Sequence, residues 1–202
     1  LLCSIDQPNS SERASYLSAR CDYDPDSKLL SRLTQLDGIV LTQGFIARNP
    51  RGEGVILGRG GSDISAAYLA AKLQAQRLEI WSDVPGLFSA NPHEVPGARL
   101  LRALRYEEAQ EIASTGATVL HPRSVPPVRR YGIPLWVKCT QRPDSPGTLI
   151  ASNVGDDSPR LKAISRRSGV TLVSMETQSM WREAGFLSNS FSCFSDLGLS
   201  ID

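Results

Sequence analysis

The chain has 202 residues, 41% of them hydrophobic and 21% charged, and its 22 basic and 21 acidic residues leave a formal net charge of +1. That is the make-up of a soluble globular protein of one large or two small domains. No global field recruits nucleic acid or an anionic membrane, no run nears the roughly 18 to 20 apolar residues of a membrane span, and no basic-then-apolar leader opens the chain, so a cytoplasmic location is expected. Cys3, Cys21, Cys139 and Cys193 lack the close spacing of a zinc knuckle, and only two histidines accompany them. No metal site is expected, and the thiols read as reduced.

In chain order, residues 1–27 are polar and turn-rich and read as loop, or as the edge of a missing element. Lys28 to Leu36 places Leu29, Leu30, Leu33 and Leu36 at helical spacing. After Asp37-Gly38, the run Ile39 to Ile46 opens with continuous apolar residues, which predicts a strand covered on both faces. Val55 to Leu57 reads as the end of a second strand, and Asp63 to Gln74 as a helix apolar nearly all round, hence buried on most sides. Leu78 to Trp81 is a further strand, and strand, helix, strand at this spacing predicts a right-handed βαβ unit.

Three glycines, Arg59 and a Ser62-Asp63 pair separate the second strand from the buried helix. Glycines allow positive φ and close backbone approach, and Ser62 or Asp63 can cap the helix. A helix N-terminus offers free N–H groups and a positive dipole end to an anion, and Arg59 adds a planar fork suited to carboxylate or phosphate. Local chemistry leaves two readings open: a site for a small anion, or a tight capped turn beside a surface arginine.

Further along, Tyr106 to Ser114 predicts a helix with Gly116 at its C-terminal cap. Pro122 to Tyr131 is at best a short helix started at a proline, with His121 as its helix-start or packing residue. Leu135 to Cys139 and Thr148 to Ala151 read as strands. Trp81 and Trp136 read as core, and Arg123, Arg129 and Arg130 as a solvated face. Residues 153–160 form a linker. Beyond it, Leu161 to Ile164 and Val170 to Met175 alternate like strands. Gly185 to Leu197 carries Phe186, Leu187, Phe191, Phe194 and Leu197 on one helical face, and a further strand begins at Gly198. A lone βα unit cannot bury its own apolar face. The start at Leu1 and the end at Asp202 are therefore expected to be cuts, and the stripe, if exposed, an association surface.

Taken in order, four motifs resemble the aspartokinases of the amino-acid kinase superfamily: Leu41-Thr42-Gln43-Gly44-Phe45-Ile46, Gly58-Arg59-Gly60-Gly61-Ser62-Asp63, Trp81-Ser82-Asp83-Val84-Pro85-Gly86, and Gly116-Ala117-Thr118-Val119-Leu120-His121-Pro122. The resemblance implies an α/β, three-layer αβα amino-acid kinase fold. Residues 1–152 would hold the C-terminal part of the kinase domain and residues 161–202 an incomplete α+β ACT domain. It further implies ATP-dependent phosphorylation of the L-aspartate side-chain carboxylate, with Mg²⁺ carried by ATP. Such a transfer rests on positioning and on stabilising charge at the moving phosphoryl group.

By the same resemblance, Arg59 would grip a substrate carboxylate. Gly60, Gly61 and Ser62 would hold the polar end of the substrate, with Asp63 on its ammonium. Ser82, Asp83, Phe88, His93, Gly116 and Thr118 would line the nucleotide side, beyond the carboxyl end of a strand. Lysine or threonine would act as effector through a complete ACT region, and the full-length protein would be a homo-oligomer.

Three departures count against activity in the isolated chain. The family opens with a lysine-bearing Lys-Phe-Gly-Gly-Thr-type loop that is not in this sequence. Lysine is usual where Thr118 stands, and arginine is common where His93 stands; a histidine of pKa about 6.5 is mostly neutral at pH 7. Losing one good donor can cost about 10²- to 10³-fold in rate. A poor or inactive kinase is therefore expected of this piece, and the alternative reading is a non-catalytic amino-acid-binding or regulatory fragment.

Overall fold

The computed structural model describes residues 2–6, 11–116, 119–154, 161–166, 169–176 and 185–197. Its contacts divide the chain into two units, Leu1–Arg167 and Ser168–Asp202. The first unit runs through α1 (Glu12–Leu17), α2 (Ser27–Thr34), β1 (Ile46–Arg48), β2 (Gly54–Ile56), α3 (Gly61–Lys72), β3 (Leu78–Ser82), β4 (Ala103–Leu104), α4 (Tyr106–Ser114), a 3-10 turn (Pro122–Ser124), α5 (Val125–Arg130), β5 (Leu135–Cys139) and β6 (Thr148–Ile150). This is an α/β fold.

Period-two alternation sets the larger sheet, ordered β3-β5-β6-β4. Leu78 and Ile80 in β3, and Leu135 and Val137 in β5, point to one face and are buried there. On that face they meet Ala67 and Ala70 of α3, Ala109 of α4, and Val125 and Val128 of α5. β3 and β5 run parallel in the register Leu78 to Leu135, and β6 returns antiparallel to β5. β4, parallel to β6, is only two residues long and carries no legible period.

The smaller sheet pairs β1 with β2 antiparallel, Ala47 opposite Val55. It belongs to a second apolar cluster with Leu2, Ala19, Cys21, Leu57, Ile64 and Tyr68. α3 therefore serves two cores at once, giving Ala67 and Ala70 to one and Ile64 and Tyr68 to the other. This dual burial explains a helix that is apolar nearly all round.

Several expectations are corrected. Residues 1–27 are not all loop: Ser11 caps α1 by accepting the Ala14 N–H, and Ser4 and Cys21 form a bridge. The expected strand from Ile39 is confined to Ile46–Arg48, and Ile39 and Leu41 are 99% and 94% exposed. An apolar run becomes a strand only where a neighbour completes its ladder, and among the described residues Ile39 to Gly44 has none. The expected βαβ unit does not form, because β2 and β3 lie in different sheets. The short loop after Arg48 turns β2 back on β1 before any crossover can be made, and local antiparallel pairing wins. Trp81 is 42% exposed, on the sheet face opposite the helices, with the Lys138 Nζ 4.8 Å from its ring centroid.

Residues 161–166 and 169–176 contain no strand. In the first of these stretches, Ile164 donates its N–H to Ser89 O at 2.8 Å and Lys162 pairs with Glu108. The second unit is described by α6 (Phe186–Asp196), which matches the helical expectation, with Leu187 and Phe191 54% and 47% exposed. The strand expected from Gly198 lies outside the described residues.

One buried hydroxyl ties the sheet to the loop that follows β3. Thr148 is fully buried, accepts the Leu87 N–H at 2.9 Å and donates to Leu101 O at 2.7 Å. Thr148→Val leaves both partners unpaired and is expected to destabilise the chain by about 1 to 3 kcal/mol. Urea unfolding measures this, and a cost near zero contradicts the bridging role.

Candidate functional site

The glycine-rich turn starts α3 earlier than the sequence suggests. Gly60 is the N-cap, in the left-handed region at φ 66° and ψ 20°, and no side chain caps the helix. Gly61 donates its N–H to Gly58 O at 3.0 Å, and Ile64 donates to Gly60 O at 3.0 Å. The expected capping by Ser62 or Asp63 is thus corrected. The tight turn brings the helix ladder up to Gly61, so both side chains fall inside the first turn instead of before it. Ser62 and Arg59 are exposed and Asp63 is half-buried.

Two distant stretches close on this turn. Phe45 sits at φ 72°, donates its N–H to the Ser65 Oγ at 3.1 Å, and accepts the Leu57 N–H at 2.9 Å. The Ser65 hydroxyl in turn donates to Gly61 O at 2.8 Å. A Cβ on Gly61 would collide with the Phe45 ring, and one on Gly44 would lie 2.9 Å from the Ser65 Oγ. The positive φ of a bulky residue is strained, and here it presses Gly44-Phe45 against the start of α3. Thr42 and Gln43, by contrast, line a cleft of about 490 Å³ beside Leu2, Ile46 and Leu69.

The other stretch is His121, the N-cap of the 3-10 turn. Its Nδ1 accepts the Arg123 N–H at 3.2 Å, and its carbonyl accepts from both the N–H and the hydroxyl of Ser124. The imidazole lies on Gly60, where a Cβ would come within 2.5 to 2.6 Å of its Cδ2, Cβ and Cγ. The His121 backbone N–H faces Asp63 and favours its charged form. Burial raises the Asp63 pKa above its ordinary 3.8, opposed by that N–H and by the ring. Burial also lowers the His121 pKa below 6.5, helped by Arg123 and Arg59 and opposed by Asp63. The expectation that His121 starts a helix holds; its seat on Gly60 was not legible.

Arg123 does not belong to a solvated face. Its guanidinium donates to Leu57 O at 3.0 Å, Ala19 O at 2.7 Å and the Ser18 Oγ at 3.3 Å. Arg129 and Arg130 are exposed as expected, paired with Glu107 and Asp24.

Ser82 and Asp83 end β3. Thr140 donates to Ser82 O from its N–H at 2.8 Å and from its hydroxyl at 3.0 Å, and the Ser82 Oγ donates to the Asp83 Oδ1 at 3.0 Å. The short connection from α3 to β3 makes them antiparallel, so the first turn of α3 and the end of β3 share one edge of the sheet. The turn before α5 reaches that edge by the same reasoning, since α5 leads into β5, which is parallel to β3; Gly116, at φ 128°, lies just past α4. Phe88 is half-buried in a bridge with Leu100, and His93 is exposed with its N–H on the Asn91 Oδ1 at 3.1 Å. No bond among the described residues joins either of them to the Gly60 turn. Thr118 lies outside the described residues.

An edge of this kind, with glycine backbone, an exposed guanidinium, a half-buried carboxylate and a histidine, can hold a small zwitterion beside an anion. The sequence profile of the amino acid kinase family matches residues 4–139. The chain is 37% identical over 186 residues to lysine-sensitive aspartokinase 3 of Escherichia coli, covering 89% of this chain and 41% of that protein. It is 38% identical over 190 residues to the bifunctional aspartokinase/homoserine dehydrogenase of Haemophilus influenzae, covering 94% of this chain and 23% of that one. Against the crystal structure of Escherichia coli aspartokinase III with aspartate and ADP, the TM-score is 0.75 at 30% identity, over 100% of this chain and 44% of that chain. The chain therefore spans less than half the length of each of these relatives.

Proposed function

Because the chain belongs to the amino acid kinase family, we propose that it is part of an aspartate kinase and contributes the L-aspartate side of the active site. The observation that carries this reading is the meeting of three motifs, far apart in sequence, at the first turn of α3: Gly44-Phe45, Gly58 to Asp63, and His121-Pro122. Arg59 binds a carboxylate of the substrate, Gly60 and Ser62 offer N–H groups at the helix start, Gly61 leaves the approach free of a Cβ, and Asp63 receives the ammonium. Burial raises the Asp63 pKa, and a bound ammonium favours its charged form.

The nucleotide side is read at the adjoining strand end, at Ser82 and Asp83, with Phe88, His93, Gly116 and Thr118 as the further residues that the resemblance assigns to it. Among the described residues no group of three His, Cys, Asp or Glu side chains could hold a metal ion. By the resemblance to aspartokinases, Mg²⁺ would be carried by the phosphates of ATP. Lysine or threonine as effector, a homo-oligomeric assembly and a cytoplasmic location belong to the same reading of the whole protein.

A second reading rests on His93 and Thr118 standing where aspartokinases commonly place cations: a piece that binds L-aspartate and does not transfer phosphate. Calorimetric titration separates the two. Binding of L-aspartate and MgATP with formation of ADP supports the kinase; L-aspartate binding alone supports the second reading; no L-aspartate binding overturns both. Arg59→Ala is expected to weaken L-aspartate binding by about 1.5 to 3 kcal/mol, the worth of a hydrogen bond to a charged group. An exposed guanidinium gives less than a buried one, and unchanged affinity removes Arg59 from the site.

A further inference from the structure

We propose that His121 is a positioning residue for the substrate turn, its ring a wedge that fixes Gly60 at the start of α3. The inference rests on the L-aspartate reading above and deepens it. The ring touches the N-cap residue of α3, and the same residue favours the charged form of Asp63 in the first helical turn. His121 is itself held from behind by the Arg123 N–H on Nδ1 and by Ser124 on its carbonyl. A residue held through both its ring and its backbone carbonyl transmits its position, as a supporting group must for a site to be pre-organised. In sequence His121 lies far from Gly60, so only the fold brings them together.

Protonation state matters to the wedge. Because Nδ1 accepts the Arg123 N–H, the neutral ring carries its proton on Nε2. A second proton would set an N–H against an N–H and break the bond that holds the ring. The charged groups that reach the ring are Arg123 and Arg59, which disfavour that proton, and Asp63, which favours it. Since the folded pKa lies below the ordinary 6.5, the clamp is complete above about pH 6.5 and is lost as the pH falls through the folded value.

The test titrates L-aspartate calorimetrically into the 202-residue chain and its His121→Asn and His121→Ala variants at several pH values between about 5.5 and 8. His121→Ala, which lacks both cap and ring, is expected to bind about five- to tenfold more weakly. His121→Asn keeps an acceptor for the Arg123 N–H and is expected to recover part of that loss and to lose the acid sensitivity of the unsubstituted chain. Equal affinities with one common pH profile overturn the proposal. If the unsubstituted chain takes no L-aspartate, the substrate reading fails, and hydrogen exchange of the Ile64 amide then judges the wedge by itself. Faster exchange in His121→Ala supports it and unchanged exchange overturns it.

Discussion

Gly60→Ala is expected to destabilise the chain by about 2 to 5 kcal/mol and to abolish measurable L-aspartate binding. Two separate costs add. Holding an alanine in the left-handed region costs about 1 to 2 kcal/mol, and Gly60 sits there at φ 66°. The new methyl would then lie 2.5 Å from the His121 Cδ2, and forcing a methyl into filled space costs about 1 to 3 kcal/mol more. The ring cannot swing away without losing the bond from Arg123. Gly38→Ala provides the control, because Gly38 has φ 89° and nothing within 4 Å of an added Cβ. It should show the backbone cost alone. Paired urea unfolding curves thus isolate the clash, and equal losses in the two variants would falsify the seating of His121 on Gly60.

The parts of this site that were legible in the sequence are those governed by residue type. Three glycines with Arg59, Ser62 and Asp63 announced a turn that could meet an anion, and the periods of Leu78 to Trp81 and Tyr106 to Ser114 announced their elements. What could not be read is whatever depends on a distant partner. Ile39 to Leu41 has the composition of a covered strand, yet Ile39 is 99% exposed, since composition fixes the preference for burial and only a neighbour supplies it. Trp81 follows the alternation of β3 faithfully, and alternation carried it to the face away from the helices. Asp63 has good capping chemistry but falls after the helix start, because Gly60 could adopt a conformation that lets the ladder begin at Gly61. Capping chemistry marks a region, while backbone geometry chooses the residue.

Arg123 shows the same limit in the opposite direction, and its removal is the second large effect expected. In sequence it is one of three arginines near prolines. In the fold its guanidinium bridges Leu57 O, Ala19 O and the Ser18 Oγ, and Leu57 and Ala19 are fully buried. Those acceptors flank the turn itself: Gly58 packs on Ser18, whose Oγ would lie 3.1 Å from an added Cβ. Arg123→Ala removes donors from two buried carbonyls, each costing about 1 to 3 kcal/mol when left unpaired, so a loss of about 2 to 5 kcal/mol is expected. Arg123→Lys should recover only part, since an ammonium lacks the planar fork that serves several acceptors at once. Arg129→Ala sets the scale for a surface arginine. Its Glu107 partner is 58% exposed and Arg129 itself 55%, and such pairs contribute about 0 to 1 kcal/mol. Denaturant midpoints of the three variants distinguish a structural clamp from a solvated charge. If Arg123→Ala matches Arg129→Ala, the guanidinium is not holding the α1 end to the glycine turn. If it is several-fold more costly and also loosens L-aspartate binding, the guanidinium sets the geometry of the substrate turn through Leu57 and Ser18, which flank Gly58.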